Sequence, residues 1–219
     1  MAMGQGNEPR ATDSRWPQIA EAVGLLAGVV RRTPLAPWSS DDGDPRVELR
    51  LKLECLQETG SFKARGAWNQ IARLDAAGRA AGIVTVSSGN HGKAVAWAAE
   101  RAGIRATVVM PRNSYPNKIE ACRVHGAEVV LGRDRAHCEE LLAERVSAGA
   151  VLVHPYDAAR TLQGAGTVGW EIAEEWPAVE LVLACVGGGA SRPGRPWPCD
   201  SAWEQPCASW ASSPPEPRP

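Results

Sequence analysis

Strand-like and helix-like segments alternate along most of this 219-residue chain, and this alternation is what most narrows its possible folds. Short runs rich in β-branched residues are each followed by a longer segment with apolar residues at helical spacing. The predicted elements are a helix at 18–30, a strand at 47–53, a helix at 62–75, a strand at 83–87, a helix at 91–102, a strand at 106–110, a helix at 116–124, a strand at 127–131, a helix at 135–147, a strand at 151–153, a helix at 161–175 and a strand at 179–186. This order predicts a parallel α/β fold.

Two kinds of strand pattern occur. In 47–53 the apolar residues fall on alternate positions, which predicts one buried face and an opposite face that bears Glu48, Arg50 and Lys52. The runs 83–86 and 181–186 are apolar apart from Thr85, as is typical of strands that helices cover on both faces.

The composition argues against several classes of protein. The formal net charge is −1 and basic residues alternate with acidic ones, so neither a nucleic acid nor an anionic membrane is an expected partner. No stretch approaches the roughly 18 apolar residues of a membrane span, and the polar N-terminus lacks the apolar core of a signal peptide. The six cysteines form no Cys-x-x-Cys pair, which argues against a zinc site or a disulfide framework. We therefore expect a cytoplasmic protein with reduced thiols, no metal site and a small-molecule ligand.

The composition changes abruptly after Gly189. Residues 190–219 contain eight prolines and no Leu, Ile, Val, Met, Phe or Tyr, so they are expected to form neither secondary structure nor a core. A Pro-rich linker or a ligand for a partner domain is one interpretation. Regrouping the codons one base earlier instead permits a glycine loop followed by an amphipathic helix. We therefore predict a disordered Pro-rich tail that is out of frame, which resequencing the DNA across codon 190 would test.

Lys63 lies at the predicted start of a helix, in the run Thr-Gly-Ser-Phe-Lys-Ala-Arg-Gly-Ala at 59–67. A buried lysine beside an aromatic surface has a lowered pKa and forms imines with aldehydes. Phe62 is the only phenylalanine of the chain, and Gly60 and Gly66 suggest close approach of the backbone to a flat group. A surface lysine in the first turn of a helix is the alternative, and the local pattern alone leaves both open.

The segment Ser-Ser-Gly-Asn-His-Gly at 87–92 follows a predicted strand and opens a predicted helix. Backbone N–H groups at a helix N-terminus, together with two hydroxyls and an amide, would form a cup suited to a carboxylate. An ordinary helix cap is the alternative, but one capping residue is enough for that. The longer polar run therefore favours binding.

A triple glycine at Gly187, Gly188 and Gly189 follows the last predicted strand, at the edge where α/β sheets bind ligands. Such a turn can bind phosphate through its N–H groups, and a plain flexible turn is the alternative. The remaining histidines (125, 137, 154) and lysines (52, 93, 118) are interpreted as structural or solvent-facing.

Four motifs occur in the order typical of a known group of enzymes. They are Glu-x-Leu-Gln-x-Thr-Gly-Ser-Phe-Lys-x-Arg-Gly-Ala at 54–67, the segment 87–92, His-Pro-Tyr-Asp with Gln-Gly-x-Gly-Thr at 154–167, and Val-Gly-Gly-Gly at 186–189. From about Ile19 to Gly189 the chain closely resembles the threonine/serine dehydratase and serine racemase group of fold-type II pyridoxal-phosphate-dependent enzymes, within the tryptophan synthase β superfamily. The Ser-Ser-Gly-Asn-His loop also differs from the Thr-Ser-Gly-Asn-Thr usual in the cysteine synthase branch.

The resemblance implies roles for individual residues. Lys63 would form a Schiff base with pyridoxal 5'-phosphate and then move protons at the substrate α-carbon. Ser88 matches the second acid/base of racemases in the group. The implied cofactor contacts are Phe62, Lys63, Asn90, Gly187, Gly188 and Gly189. The implied binding site for the substrate carboxylate is Ser87, Ser88, Gly89, Asn90 and His91.

The resemblance also implies a fold, with two parallel three-layer α/β domains. The large, cofactor-binding domain would consist of 1–81 and 155–189, the small domain of 82–154, and the tail of 190–219. The large domain would be incomplete, because in the group further strands and the partner of the pyridine nitrogen follow the glycine loop.

The implied function is an ammonia-lyase that converts L-threonine or L-serine to a 2-oxo acid and ammonia. A serine or amino-acid racemase of the same fold is the close alternative. An inactive, truncated remnant that acts at most as a binding fragment is the alternative from another class. A homo-oligomer is implied for the full-length protein.

Overall fold

The structure is a computed structural model that describes residues 16–39 and 46–184. Its elements are α1 (Trp16–Leu26), β1 (Leu35–Trp38), β2 (Leu49–Lys52), a 3₁₀ helix (Glu54–Leu56), α2 (Lys63–Ile71), α3 (Ala76–Ala81), β3 (Ile83–Val86), α4 (Asn90–Ala102), β4 (Ala106–Pro111), α5 (Pro116–Arg123), β5 (Glu128–Gly132), α6 (Arg135–Ser147), β6 (Val151–Leu152) and α7 (Ala159–Glu175). The helices and strands alternate from β3 to α7, as the sequence predicts.

A four-stranded parallel sheet forms in the order β5-β4-β3-β6. Ile83 of β3 lies opposite Ala106 of β4 on one side and Val151 of β6 on the other. Val108 of β4 lies opposite Val129 of β5. Every strand runs in the same direction, so the loops that follow the strands meet at one edge of the sheet. The parallel α/β prediction is confirmed.

Helices cover both faces of this sheet. On one face, Val108 and Met110 pack with the small residues of α4, which include Ala94 and Ala98. On the other face, Val84 and Val109 pack against Cys138 of α6. Neighbouring residues of a strand point to opposite faces, so two covered faces favour apolar residues at every position. This explains the mostly apolar β3, in which the buried hydroxyl of Thr85 is satisfied by the Val153 carbonyl oxygen.

β1 and β2 form a separate antiparallel pair, with Leu35 opposite Lys52. The sequence predicted a strand here but assigned its faces wrongly. Leu49 and Leu51 are 43% and 38% exposed, whereas the side chain of Lys52 is only 6% exposed. Lys52 is buried because it reaches carboxylates on α7, an attraction that the alternation of apolar residues does not reveal.

Several boundaries differ from the predictions. The helix predicted at 62–75 ends at Ile71, and a second helix, α3, begins after Asp75, whose carboxylate accepts a hydrogen bond from the Gly78 N–H at 2.8 Å. β1 was not predicted, and it contains Pro37, which is unusual inside a strand.

The strand predicted at 179–186 is absent from 179–184, the part of it that the structure describes. Leu181 and Leu183 are 64% and 84% exposed there. A strand needs a neighbouring strand to satisfy its backbone groups, and none of the described residues pairs with this segment. The rest of the predicted strand lies outside the described residues, as does the tail 190–219. The division into a large and a small domain stays a prediction.

None of the helices in residues 16–39 and 46–184 is both long and apolar enough to cross a membrane.

α2 and α7 touch through glycines. A Cβ added to Gly164 of α7 would lie 2.5 Å from the Arg65 carbonyl oxygen, and one added to Gly66 of α2 would lie 2.8 Å from the Thr161 carbonyl oxygen. The close approach at Gly66 is therefore to the backbone of α7, whereas the sequence suggested an approach to a flat group. Gly60 has a φ of +76°, which a glycine adopts without strain. Gly60 and Gly66 thus shape the backbone on either side of Lys63.

We expect Gly164→Ala to lower the free energy of unfolding by about 1–3 kcal/mol, because the new methyl group collides with the α2 backbone. The matched control is Gly24→Ala in α1, where an added Cβ meets nothing within 4 Å. That control should be neutral or stabilising by about 0.5–1 kcal/mol, since alanine is the better helix former. Urea unfolding monitored by circular dichroism measures both, and equal effects of the two variants would contradict the close contact.

Candidate functional site

Lys63 is the first residue of α2, and its amine points toward the loop that follows β6. Its Nζ donates a hydrogen bond to the Pro155 carbonyl oxygen at 2.8 Å and lies 4.9 Å from the centre of the Phe62 ring. Burial lowers the pKa of Lys63 from its ordinary value of 10.5, because the charged form loses water. A larger fraction of the amine is therefore neutral, the form that attacks an aldehyde.

Two loops at the carboxyl edge of the sheet meet beside this amine. The loop after β3 leads into α4, and the loop after the adjacent strand β6 contains Pro155. His91 of α4 contacts the Val153 carbonyl oxygen through Nε2 at 3.0 Å. Burial lowers the pKa of both His91 and His154, and the nearby charge of Lys63 adds to both shifts.

The loop at 87–92 closes tightly. The Ser87 hydroxyl accepts a hydrogen bond from the Gly89 N–H at 3.2 Å, and α4 begins at the next residue, Asn90. A Cβ at Gly92 would lie 2.8 Å from the Ser87 carbonyl oxygen, so a side chain there would force the loop open. The cap residue of α4 is Gly89, which has no side chain to satisfy the first N–H groups of the helix. The positive end of α4 is therefore left for an anion.

His91 is 4% exposed. Since a carbonyl oxygen only accepts, Nε2 must carry the hydrogen and donate it to the hydrogen bond with Val153. Nδ1 then has no partner among the described residues. Burial lowers the pKa of His91 to about 4; the hydrogen bond to Val153 opposes this shift, and the charges of Lys63 and His154 reinforce it. The imidazole is thus neutral near pH 7.

Arg65, two residues after Lys63, is completely buried. Its guanidinium donates two hydrogen bonds to the Glu54 carboxylate, at 2.9 and 2.7 Å, and two to the Glu171 carboxylate, at 2.6 and 2.9 Å. A further bond, of 3.1 Å, reaches the Thr167 hydroxyl. Burial opposes the charge of Arg65, but the hydrogen bonds to Glu54 and Glu171 more than offset it and the pKa is raised. Arg65 therefore joins α2 to α7 and to the 3₁₀ helix.

Lys52 and Thr33 extend this network. The Lys52 ammonium lies 2.9 Å from the Glu171 carboxylate and donates to the Thr33 carbonyl oxygen at 2.6 Å. The Thr33 hydroxyl donates to Glu54 at 2.6 Å. Burial would raise the pKa of Glu171, but the hydrogen bonds from Arg65 and Lys52 outweigh it and hold that pKa low. We call Lys52, Glu54, Arg65 and Glu171 the buried ion cluster.

The structure brings together only some of the residues that the sequence singled out. Lys63, Phe62 and His91 lie in one cluster, and Ser87 and Gly89 shape the loop beside it. Ser88 and Asn90 are on the exposed side of that loop. Gly187, Gly188 and Gly189 lie outside the described residues. Within the described part of the chain, no group of three or more histidine, cysteine or acidic side chains could hold a metal ion.

Sequence reasoning missed two features of this site. Pro155 contributes a carbonyl oxygen, a group that every residue has and that no motif reports. His154 was interpreted as structural or solvent-facing. Its Nδ1 does accept hydrogen bonds from the N–H groups of Tyr156 and Asp157, at 3.4 and 2.7 Å, but the ring also lies within the electrostatic reach of Lys63. Two signals were available, its position directly after a predicted strand and its place in the His-Pro-Tyr-Asp motif, but neither gave it a role.

The chain is similar to known proteins over most of the described residues. Residues 26–192 match the family described as "Pyridoxal-phosphate dependent enzyme". L-threonine ammonia-lyase of Thermotoga maritima is 46% identical over 174 residues, which are 78% of this chain and 43% of that protein. Serine racemase of Oryza sativa is 37% identical over 188 residues, which are 85% of this chain and 56% of that protein.

A solved structure, that of maize serine racemase, aligns with a TM-score of 0.72 at 38% identity and covers 75% of this chain and 51% of that one. The chain thus spans about half the length of the relatives it matches.

We expect Arg65→Met to lower the free energy of unfolding by about 3–5 kcal/mol, because it leaves Glu54 and Glu171 buried without their partner. The control is Arg145→Met, which breaks the exposed pair with Glu128 and should cost no more than about 1 kcal/mol. Chemical denaturation of both variants measures the difference. A loss for Arg65→Met as small as that of the control would show that the cluster contributes little.

We expect His91 to make stability depend on pH. In the unfolded chain its pKa returns to 6.5, so between pH 6.5 and about 4 only the unfolded chain binds the proton, and stability falls as the pH falls. From pH 7 to pH 5 this residue should contribute a loss of about 2 kcal/mol. His91→Gln should therefore lose about 2 kcal/mol less than the parent over that interval. Urea unfolding at the two pH values tests this, and an equal loss in both proteins would contradict it.

Proposed function

This chain belongs to the pyridoxal-phosphate-dependent enzyme family, and from that premise we propose that it provides the Schiff-base lysine of an ammonia-lyase that acts on L-threonine or L-serine. The observation that supports this most directly is the placement of Lys63. Its amine is half-buried, has a lowered pKa, lies 4.9 Å from the centre of the Phe62 ring and donates a hydrogen bond to the Pro155 carbonyl oxygen. The relatives that act on threonine or serine support the choice of substrate.

The described residues fit pyridoxal 5'-phosphate. Lys63 offers an amine for the aldehyde, and Phe62 offers a flat apolar surface next to it. Asn90 is exposed at the mouth of the loop, where its amide is available to a ring hydroxyl. We propose that Gly187, Gly188 and Gly189 bind the phosphate through their N–H groups, as glycine-rich backbone can do. When bound, the cofactor supplies an electron sink for the bond that breaks at the substrate α-carbon.

The protein's own groups would hold and orient the substrate. The N-terminus of α4, with Ser87, Ser88, Gly89, Asn90 and His91, would receive the substrate carboxylate. The macrodipole of a 13-residue helix favours an anion at that position. The neutral state of His91 keeps a second positive charge away from Lys63.

Lys63 would also act as the base at the substrate α-carbon. Its lowered pKa provides the neutral amine that can accept this proton near neutral pH. The Pro155 carbonyl, which only accepts hydrogen bonds, can then hold the ammonium that forms. The substrate β-hydroxyl would take up a proton, which balances the one taken from the α-carbon, and leave as water. Hydrolysis of the remaining unsaturated amine then consumes one water and gives a 2-oxo acid and ammonia.

A racemase is the second candidate, supported by Ser88. Its side chain is exposed on the loop that would bind the carboxylate, where a hydroxyl can exchange a proton with the opposite face of the α-carbon. Serine racemases are among the relatives. Assaying 2-oxo acid release from L-threonine and L-serine beside D-serine formation distinguishes the two, and Ser88→Ala should abolish D-serine formation only.

A third candidate is that the chain binds without catalysis. Leu181 and Leu183 are exposed, so they offer an apolar surface to a partner. Cofactor capture without release of 2-oxo acid or D-serine would favour this candidate over both enzymes. Self-association, implied by the resemblance for the full-length protein, stays a prediction.

We expect the protein to form a visible imine absorbance band with pyridoxal 5'-phosphate, and Lys63→Ala to lose it, because the amine is the group that reacts. Lys118→Ala, a half-buried lysine of α5, is the matched control and should keep the band. Borohydride reduction followed by peptide mass spectrometry should place the label on Lys63. Absence of the band in the parent protein, or a label on another lysine, would falsify the proposed role.

A further inference from the structure

His91 makes one hydrogen bond whose consequence reaches Lys63. The residue lies in the first turn of α4. Its ring nevertheless contacts the segment that follows β6, where Nε2 lies 3.0 Å from the Val153 carbonyl oxygen. The Thr85 hydroxyl donates to the same oxygen at 2.9 Å, so both lone pairs of that carbonyl are used.

Val153 is two residues before Pro155, the acceptor for the Lys63 amine. The segment between them is short and held at several points. The Val153 N–H donates to the Val84 carbonyl oxygen at 2.9 Å, and the His154 ring accepts from the Asp157 N–H at 2.7 Å. A displacement of Val153 would therefore move Pro155 with it.

We propose that His91 is a positioning residue for Lys63: through its hydrogen bond to Val153 it fixes the segment 153–155 and so the Pro155 carbonyl that holds the amine. The inference rests on the proposed function, since it concerns the amine that would bind the cofactor. It also connects the two halves of the site, because His91 belongs to the loop that would receive the substrate carboxylate.

The burial of His91 supports this role. The ring is 4% exposed, so the packing around it leaves little freedom to adopt another orientation. Its unpaired Nδ1 means that the bond to Val153 is its only hydrogen bond among the described residues. A neutral imidazole satisfies that bond without adding a charge beside Lys63.

Titrating the apoprotein with pyridoxal 5'-phosphate and following the imine band tests the proposal. His91→Leu should raise the apparent Kd about tenfold, because it loses the hydrogen bond to Val153 that fixes the segment 153–155 and so the Pro155 carbonyl. His91→Gln keeps an N–H donor at the position of Nε2 and should stay within about threefold of the parent. The matched control is His125→Leu, which removes a histidine remote from Lys63 and should leave the Kd unchanged.

A second measurement uses no cofactor. The apoprotein is acetylated, and peptide mass spectrometry gives the rate at Lys63 relative to the rate at Lys118. This relative rate should increase in His91→Leu and return to the parent value in His91→Gln. Melting temperatures measured in parallel show which variants are folded. If His91→Leu does not fold, His91→Asn replaces it, since its side chain is polar but too short to reach Val153.

Equal Kd values for His91→Leu and His91→Gln, or a Kd for His91→Leu that matches the parent, would overturn the proposal. If the parent protein itself forms no imine, the proposed function fails for this chain and the acetylation rates alone decide the role of His91. In that case equal rates at Lys63 in the parent and in His91→Leu overturn it.

Discussion

The position of Lys63 depends on the burial of a charge two residues away. Arg65 has no exposed surface. Its buried charge is stable because the carboxylates of Glu54 and Glu171 and the Thr167 hydroxyl accept hydrogen bonds from its guanidinium. Those acceptors come from the 3₁₀ helix and from α7, far apart in sequence. The bidentate geometry fixes how α2 lies against both, and with α2 the residue that begins it. Lysine in place of arginine could not make these parallel bonds.

Close contact between α2 and α7 is the second requirement. The buried ion cluster can close only if the two helix backbones approach, and Gly66 and Gly164 remove the side chains that would keep them apart. α2 also packs on α4, which begins at the loop beside Lys63. The site is therefore assembled from three helices that hold one another, together with the loops at the carboxyl edge of the parallel sheet. An apolar interior alone would not have fixed these distances.

The parallel α/β order, most helix positions and the central lysine motif could be predicted from the sequence, because each depends on residues that are neighbours along the chain. The strand at 47–53 shows the limit. Its alternation was real, but its apolar side chains are partly exposed and Lys52 is buried, since ion pairing with α7 outweighs the local pattern. The strand predicted at 179–186 fails in 179–184 for a related reason, because strands require partners that local propensity cannot supply.

The sequence by itself determined the family and singled out Lys63 as the proposed reactive group. Lys63 with Phe62, and the loop at 87–92, are contiguous motifs, and contiguity is what a sequence displays. Only the tertiary structure decided what surrounds that group: the Pro155 carbonyl on its amine, the bond from His91 to Val153, and the carboxylates of Glu54 and Glu171 around Arg65. These contacts join segments between 11 and 106 residues apart, and burial, which sets the pKa of Lys63 and of His91, arises only when such segments pack.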